Sequence, residues 1–292
     1  MVSGAVDELR AYLQARDDAE TMVAAGMRSQ LLCGDGEETV ILLHGLTASP
    51  PAWGSIAAAL NIAGATVVVL RLPLHGHADR LTSALRGLSA DGLTSDLRAV
   101  ITAVARLEKR IVIGGHSLGG TLAIHAAATL PHVDRIVAVA PFLGVAGLPH
   151  ELHAPLIPMI RALPNVFLWW DPIDRERQQP AHGYPRYPLH AVAVGIEIAD
   201  AVYDDANRGP QAQAIDLVIN AQESSVNNRA VRRLAQRWRR ANAPVAVHEL
   251  VGLPPSHDII EPARPNSLRA RDTLVRLLLG EPLIADGNVH SI

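Results

Sequence analysis

A serine flanked by glycines stands between two different apolar stretches of this 292-residue chain. The residues at 115–119 are Gly-His-Ser-Leu-Gly, a G-x-S-x-G pattern with Ser117 at its centre. A β-branched apolar run at 110–115 precedes the serine, and an alanine-rich stretch at 118–130 follows it. A strand that turns sharply into a helix here lifts the hydroxyl clear of a sheet and places helix N-terminal amides beside it. Ser117 is therefore predicted to be a nucleophile, the alternative being a serine that only caps the helix.

Further apolar runs indicate which elements must position this serine. They predict strands at 39–44, 65–72, 110–115, 134–140, 215–220 and 245–250. Helical patterns separate or follow them, at 51–62, 91–107, 118–130, 227–241 and 265–279. Near-continuous apolar strands that alternate with helices are typical of a parallel sheet covered on both faces. The predicted fold class is α/β, with a doubly wound, mostly parallel sheet, and residues 1–30 are predicted to form an amphipathic helix ahead of it.

The serine pattern in this strand–turn–helix setting resembles the nucleophile elbow of α/β-hydrolases. The similarity covers roughly residues 38–280 and is greatest to the carboxylesterase and monoacylglycerol-lipase branch. It implies the α/β-hydrolase fold with a helical cap insertion. The expected division is an N-terminal helical extension at 1–37, a hydrolase core in two parts at 38–141 and 211–292, and the cap at 142–210.

The resemblance also implies an oxyanion hole made of main-chain N–H groups. His44-Gly45-Leu46 follows the first predicted strand, where the family carries an H-G-x-x loop that faces the elbow. The N–H of Leu46 and the N–H of Leu118, the residue after the nucleophile, are the implied donors. The alternative is that His44 and Gly45 form a plain turn at a strand end.

In the family, the acid and the base follow two successive strands, in the chain order serine, acid, histidine. His257 follows the last predicted strand and is the implied base. The preceding strand leads into the segment 220–226, which is similar to the family pattern G-x-x-D-x-x-V and makes Glu223 the implied acid. The segment departs from that pattern twice. Asn220 replaces the usual glycine, and Glu223 is one methylene longer than the usual aspartate.

Residues 142–210 are too many for an ordinary connection between two strands. They hold nine of the 20 prolines and seven of the ten aromatic residues of the chain. We predict a cap over a pocket, with an apolar wall formed by Phe142, Phe167, Trp169 and Trp170. The alternative is an insertion with no part in function.

Composition and spacing exclude several other functions. The chain has 26 Lys and Arg against 29 Asp and Glu, a net charge of −3, which favours neither nucleic acid nor an anionic membrane. A single cysteine, Cys33, excludes an internal disulfide and a multi-cysteine zinc site. The pairs His75/His77 and His150/His153 lack the spacing of a zinc-binding helix, so no metal is expected. Gly120 stands where a P-loop requires lysine, and no G-x-G-x-x-G follows a predicted strand, so no nucleotide cofactor is expected.

The longest apolar run is too short to cross a bilayer, and the N-terminal residues lack a signal-peptide pattern. We therefore expect a soluble cytoplasmic protein without an integral membrane segment. The resemblance implies a cofactor-free serine hydrolase that cleaves a small-molecule carboxylic ester, with an apolar acyl or aryl group, through an acyl-enzyme. Acyl transfer or thioester hydrolysis by the same triad, and a non-catalytic ligand-binding role, are the alternatives. The oligomeric state is left open.

Overall fold

A computed structural model describes residues 2–178, 180–262, 267–283 and 289–291. The strands in these residues are β1 (Gln30–Leu32), β2 (Glu38–Leu43), β3 (Thr66–Leu70), β4 (Arg110–His116), β5 (Arg135–Val139), β6 (Phe167–Trp169), β7 (Arg186–Pro188), β8 (Ala214–Asn220), β9 (Val245–Leu250) and β10 (Val289–Ser291). The helices are α1 (Val2–Asp18), α2 (Gly54–Ile62), α3 (Ala90–Val104), α4 (Leu118–Thr129), α5 (His153–Ala162), α6 (His190–Asp205), α7 (Asn228–Arg240) and α8 (Ser267–Leu278).

Eight of these strands form one sheet in the order β1-β3-β2-β4-β5-β8-β9-β10. The six strands from β3 to β9 are parallel, whereas β1 and β10 pair with their neighbours in the antiparallel sense. The carboxyl ends of parallel strands meet at one edge of a sheet, which is where ligands bind in open α/β folds. The loops that follow β2, β4, β8 and β9 are therefore brought to the same edge.

Helices cover both faces of this sheet, as the apolar strands require. The strand β3 shows why, because all five of its residues are buried. Apolar side chains of α1, α3, α4, α6 and α7 form the core on one face. Those of α2 and α8 form the core on the other face. The structure thus confirms the predicted doubly wound, mostly parallel α/β fold.

The N-terminal segment differs from its prediction. The helix expected over 1–30 ends at Asp18, and residues 30–32 form the edge strand β1, paired with β3. Three residues are too few for a strand pattern to show in the sequence, and the same holds for β10. Two ion pairs fasten α1 to the core. In the buried pair the Arg71 Nε lies 2.9 Å from Asp17 Oδ1, and in the half-buried pair an Arg16 guanidinium nitrogen lies 2.6 Å from Asp96 Oδ2.

The insertion between β5 and β8 contains α5, α6 and a hairpin formed by β6 and β7. This insertion therefore contains a small antiparallel sheet as well as the two helices. Its longer helix, α6, packs on the core through buried Val194 and Ile198. Elsewhere the predicted helices agree with the structure to within a few residues, although positions 265–266 of the last one lie outside the described residues. No helix in the described part of the chain has the length and apolar character needed to span a membrane.

Candidate active site

Ser117 occupies the turn between β4 and α4 with φ 55° and ψ −117°. A positive φ is strained for a residue with a Cβ atom, and such strain is concentrated at functional sites. The main chain holds it there, because the Ser117 N–H donates to the carbonyl of Val139 (3.0 Å) and its carbonyl accepts from the N–H of Phe142 (3.1 Å).

Two glycines allow the chain to turn this tightly. A Cβ atom on Gly115 would lie 2.1 Å from the carbonyl oxygen of Gly119. A Cβ atom on Gly119 would lie 2.2 Å from the carbonyl oxygen of Leu43. Both distances are shorter than a van der Waals contact, so the G-x-S-x-G glycines are required by the close packing of α4 on β2 and β4.

His257 and Glu223 are in hydrogen-bond contact. The His257 Nδ1 lies 2.9 Å from Glu223 Oε2, while Oε1 accepts from the N–H groups of Ser224 (2.9 Å) and Ser225 (2.7 Å). The Glu223 side chain is fully buried. Burial alone would raise the pKa of this carboxyl, but the hydrogen bond and charge of His257 and the two N–H groups outweigh it and lower the pKa. The carboxylate is therefore ionised at neutral pH.

A second histidine, His116, lies beside the His257 ring. The two ring centroids are 4.9 Å apart, and His116 Nε2–H donates to the carbonyl oxygen of His257 at 2.9 Å. Burial, reinforced by the neighbouring His257, lowers the pKa of His116 to about 4. His116 is therefore neutral at physiological pH and acts as a hydrogen-bond donor to the loop that carries His257.

The predicted oxyanion loop lies directly against Ser117. A Cβ atom on Gly45 would be 3.2 Å from the Ser117 Cβ, so a side chain here would crowd the serine. The buried His44 shapes this loop, because its Nδ1–H donates to the Gly45 carbonyl (2.9 Å) and its Nε2 accepts from the Leu72 N–H (3.0 Å). Burial holds the pKa of His44 well below its usual value, so this neutral tautomer is stable. Leu118 begins α4, and a first-turn N–H has no partner within its own helix.

A cavity of about 450 Å³ opens beside these groups. Ser117, His257 and Leu46 line it together with residues of the loops after β2 and β9 and of the cap. A larger cavity of about 560 Å³ lies beside α8, and none of the predicted site residues lines it. The predicted nucleophile, base and one oxyanion residue thus share one cavity, while Glu223 contacts the base from behind.

Of the four cap residues predicted to form the pocket wall, Trp170 lines this cavity. The other three predicted wall residues, Phe142, Phe167 and Trp169, are not among the residues that line it. Phe167 and Trp169 share one face of β6, where the Arg186 guanidinium lies 4.3 and 5.6 Å from their ring centroids. Alternate residues of a strand point to the same side, so Trp170 is directed away from these two rings. Phe142 packs against α6.

The structure adds cavity residues that the sequence did not indicate, notably Tyr184 and Arg80. Arg80 donates from its guanidinium to four cap carbonyls, those of Glu176, Gln178, Pro180 and Gly183. No local pattern marks an arginine for this role, because its acceptors lie about a hundred residues away in the chain.

The insertion at 142–210 is also joined to the loop that follows β2. Trp170 Nε1–H donates to Thr47 Oγ1, and the Tyr184 N–H donates to the Thr47 carbonyl, both at 2.8 Å. The Tyr184 hydroxyl in turn accepts from the His77 N–H at 2.8 Å. The insertion therefore contacts the same loop that carries Leu46.

His, Cys, Asp and Glu are the side chains that hold metal ions in most proteins. Within the residues that the structure describes, no three of them are grouped so that they could hold a metal ion.

Known structures with this fold include several lipases and esterases. The monoacylglycerol lipase of Paleococcus ferrophilus is similar with a TM-score of 0.67 and 20% identity, over 86% of this chain and 98% of that one. A carboxyl esterase from Bacillus coagulans is similar with a TM-score of 0.65 and 13% identity, over 87% of this chain and 93% of that one. At these identities the similarity shows a shared fold.

Sequence relatives are more limited in extent. Protein phosphatase methylesterase 1 of Mus musculus is 29% identical over 120 residues, which is 40% of this chain and 31% of that protein. The Bos taurus protein of the same name is 29% identical over 121 residues, covering 40% and 32%. The match thus spans about a third of the length of these relatives.

A family-wide sequence match covers far more of the chain. Residues 40–277 of this chain match the sequence pattern of the Alpha/beta hydrolase family. This range includes the turn at Ser117 and the loops that carry Glu223 and His257. Together with the sheet order and the strand–turn–helix at the serine, it establishes that the chain belongs to the α/β-hydrolase family.

Proposed function

We propose that this protein is a serine hydrolase that cleaves carboxylic esters of small molecules through an acyl-enzyme. The observation that carries the proposal is that Ser117, at a strained strand–helix turn, lines the same cavity as His257, which is hydrogen-bonded to a buried carboxylate. In this proposal Ser117 is the nucleophile, His257 the general base and Glu223 the acid.

The reaction begins when the Ser117 hydroxyl attacks the ester carbonyl carbon and His257 Nε2 takes the hydroxyl proton. Glu223 accepts from Nδ1–H, which leaves the lone pair on Nε2 and stabilises the imidazolium that forms. The N–H groups of Leu46 and Leu118 bind the oxyanion, a contribution of about 10²–10³ in rate for each donor. His257 then returns the proton to the departing alcohol. Water, deprotonated by the same imidazole, attacks the acyl carbon and releases the acid.

The cavity supports a compact substrate. Its volume of about 450 Å³ falls within the range of small-ligand sites, about 300–1,000 Å³. Leu46, Trp170 and Ile260 offer apolar surface for an acyl or aryl group, while Arg80 and Glu261 make another part of the wall polar. We therefore propose an ester that joins a small apolar acyl or aryl group to a polar alcohol.

The organisation of the chain belongs to the same proposal. We propose that residues 142–210 act as the cap of a core formed by 38–141 and 211–292, with 1–37 as an extension. A cytoplasmic location stays a prediction from the sequence.

Turnover of p-nitrophenyl esters, from acetate to palmitate, tests this function. We expect the shorter chains to be hydrolysed fastest, and Ser117→Ala to lose at least about 10³-fold in kcat. Ser95→Ala is the matched control, because Ser95 is exposed on α3 and its hydroxyl donates to the main-chain carbonyl of Asp91 in the same helix; it should keep kcat within a few-fold. Turnover that persists in Ser117→Ala would refute the proposed nucleophile. Faster reaction with thioesters, or transfer to an added alcohol, would indicate a thioesterase or an acyltransferase, and binding without turnover a non-catalytic protein.

A further inference from the structure

The loop that carries His257 is fastened through its carbonyl groups. Asn220 Nδ2 donates to the carbonyl oxygens of Pro254 (2.9 Å) and Ser256 (3.0 Å). His116 Nε2–H donates to the next carbonyl, that of His257 itself. Two side chains therefore hold three carbonyls of a segment that has no regular secondary structure.

Asn220 also organises the segment that carries Glu223. Its side-chain Oδ1 accepts from the N–H of Gln222 at 3.1 Å, which forms an Asx turn directly after β8. Its main-chain carbonyl accepts from the N–H of Glu223, also at 3.1 Å. One fully buried side chain thus contacts both the segment of the acid and the loop of the base.

The sequence departures at this place have a common physical explanation. The resembling family usually has glycine at position 220, and glycine has no side chain to make any of these three hydrogen bonds. It also usually has the shorter aspartate at position 223. A longer acid requires more space between its main chain and the imidazole, and the carboxamide of Asn220 stands between the two segments and spaces them.

We propose that Asn220 is a positioning residue that sets the distance between Glu223 and His257. This inference rests on the proposed function, since it assigns a role within the same triad. Displacement of a catalytic group by about 1 Å costs on the order of 10² in rate. Loosening the His257 loop therefore reduces kcat by about 10- to 100-fold. KM stays within about threefold, because Asn220 does not line the substrate cavity.

Asn220→Asp tests the role, because it keeps the Oδ1 acceptor for Gln222 and replaces the two N–H donors by an oxygen. Asn61→Asp is the matched control: Asn61 Nδ2 donates to the carbonyls of Cys33 (2.8 Å) and Ala65 (3.2 Å), and Asn61 does not line the cavity. We expect kcat to fall in Asn220→Asp and to stay unchanged in Asn61→Asp. Asn220→Gly is the second variant, should a buried carboxyl prevent folding, and it should show the same split between kcat and KM. A kcat within threefold of the wild type in the folded Asn220 variants, or a loss matched by Asn61→Asp, would overturn the proposal.

Hydrogen–deuterium exchange provides a readout that needs no substrate. Exchange in the 251–258 loop should rise at least about tenfold in the Asn220 variants and stay unchanged in Asn61→Asp. Unchanged exchange would overturn the inference whether or not an ester is turned over. If the proposed function itself were wrong, the result would be different: the wild-type protein would have a protected 251–258 loop but would show no turnover that depends on Ser117.

Discussion

The Glu223→Gln substitution replaces one oxygen of the buried acid by an NH2 group and keeps its shape. Oε1 of Glu223 accepts from two main-chain N–H groups, those of Ser224 and Ser225, whereas Oε2 accepts from His257 Nδ1. The single oxygen of glutamine must take the Oε1 position, because an NH2 group there would face two donors. The NH2 group then faces Nδ1, which has to become an acceptor, and the ring proton moves to Nε2.

A proton on Nε2 removes the base, since His257 then has no lone pair to take the hydroxyl proton of Ser117. The corresponding acid-to-amide change in a serine protease triad costs about 10⁴ in kcat, which is about 5.5 kcal/mol in the activation barrier. We expect a loss of about 10³–10⁴ for Glu223→Gln. KM should change little, because the Glu223 side chain is fully buried behind the imidazole.

Steady-state kinetics with p-nitrophenyl butyrate measures this loss. Glu249→Gln is the matched control. Glu249 lies on β9, its carboxylate accepts from a guanidinium nitrogen of Arg232 at 2.7 Å, and it has no assigned role. It should leave kcat within a few-fold. Circular dichroism is used to check that both variants are folded. If Glu223→Gln kept more than a tenth of the wild-type kcat, the reasoning about the tautomer, and with it the assignment of the acid, would be wrong.

Three further predictions concern stability and the cap. Burial lowers the pKa of His75 and His116 from 6.5 to about 4. The unfolded chain therefore binds protons first, and the free energy of unfolding should fall between pH 6.5 and 4, by about 3 kcal/mol for each histidine; a flat profile in urea titrations would contradict this. Gly119→Ala should cost about 3 kcal/mol or more in thermal or urea unfolding, whereas Gly54→Ala, whose Cβ meets nothing within 4 Å, should not destabilise; equal effects would refute the packing argument. Arg80→Lys loses the planar fork that binds the cap carbonyls, so KM should rise about five- to tenfold with kcat retained; an unchanged KM would show that the fork does not shape the cavity.

The fold and the serine turn could be predicted because their signals are local. The strands β2 to β5, β8 and β9 are near-continuous apolar runs, and a glycine pair marks the turn at Ser117. Two three-residue edge strands escaped prediction, since their pairing depends on an exposed sheet edge rather than on their own sequence.

The insertion between β5 and β8 could be located, but which of its residues line the cavity could not be predicted. Its aromatic content indicated a pocket wall, yet which ring faces the cavity depends on the register of the β6–β7 hairpin. That register turns Phe167 and Trp169 toward Arg186 and leaves Trp170 to reach Thr47. The hydrogen bonds of Arg80 to four carbonyls of the insertion, and those of Asn220 to the loop that carries His257, likewise join segments that are distant in the chain. No spacing along the sequence reveals them.

Covalent labelling with a fluorophosphonate, followed by peptide mass mapping, tests the central claim most directly. The account predicts one adduct, on Ser117, that forms in the wild type, slows by orders of magnitude in Glu223→Gln and is absent from Ser117→Ala. A folded protein that remains unlabelled, or an adduct on another residue with Ser117 unmodified, would contradict it.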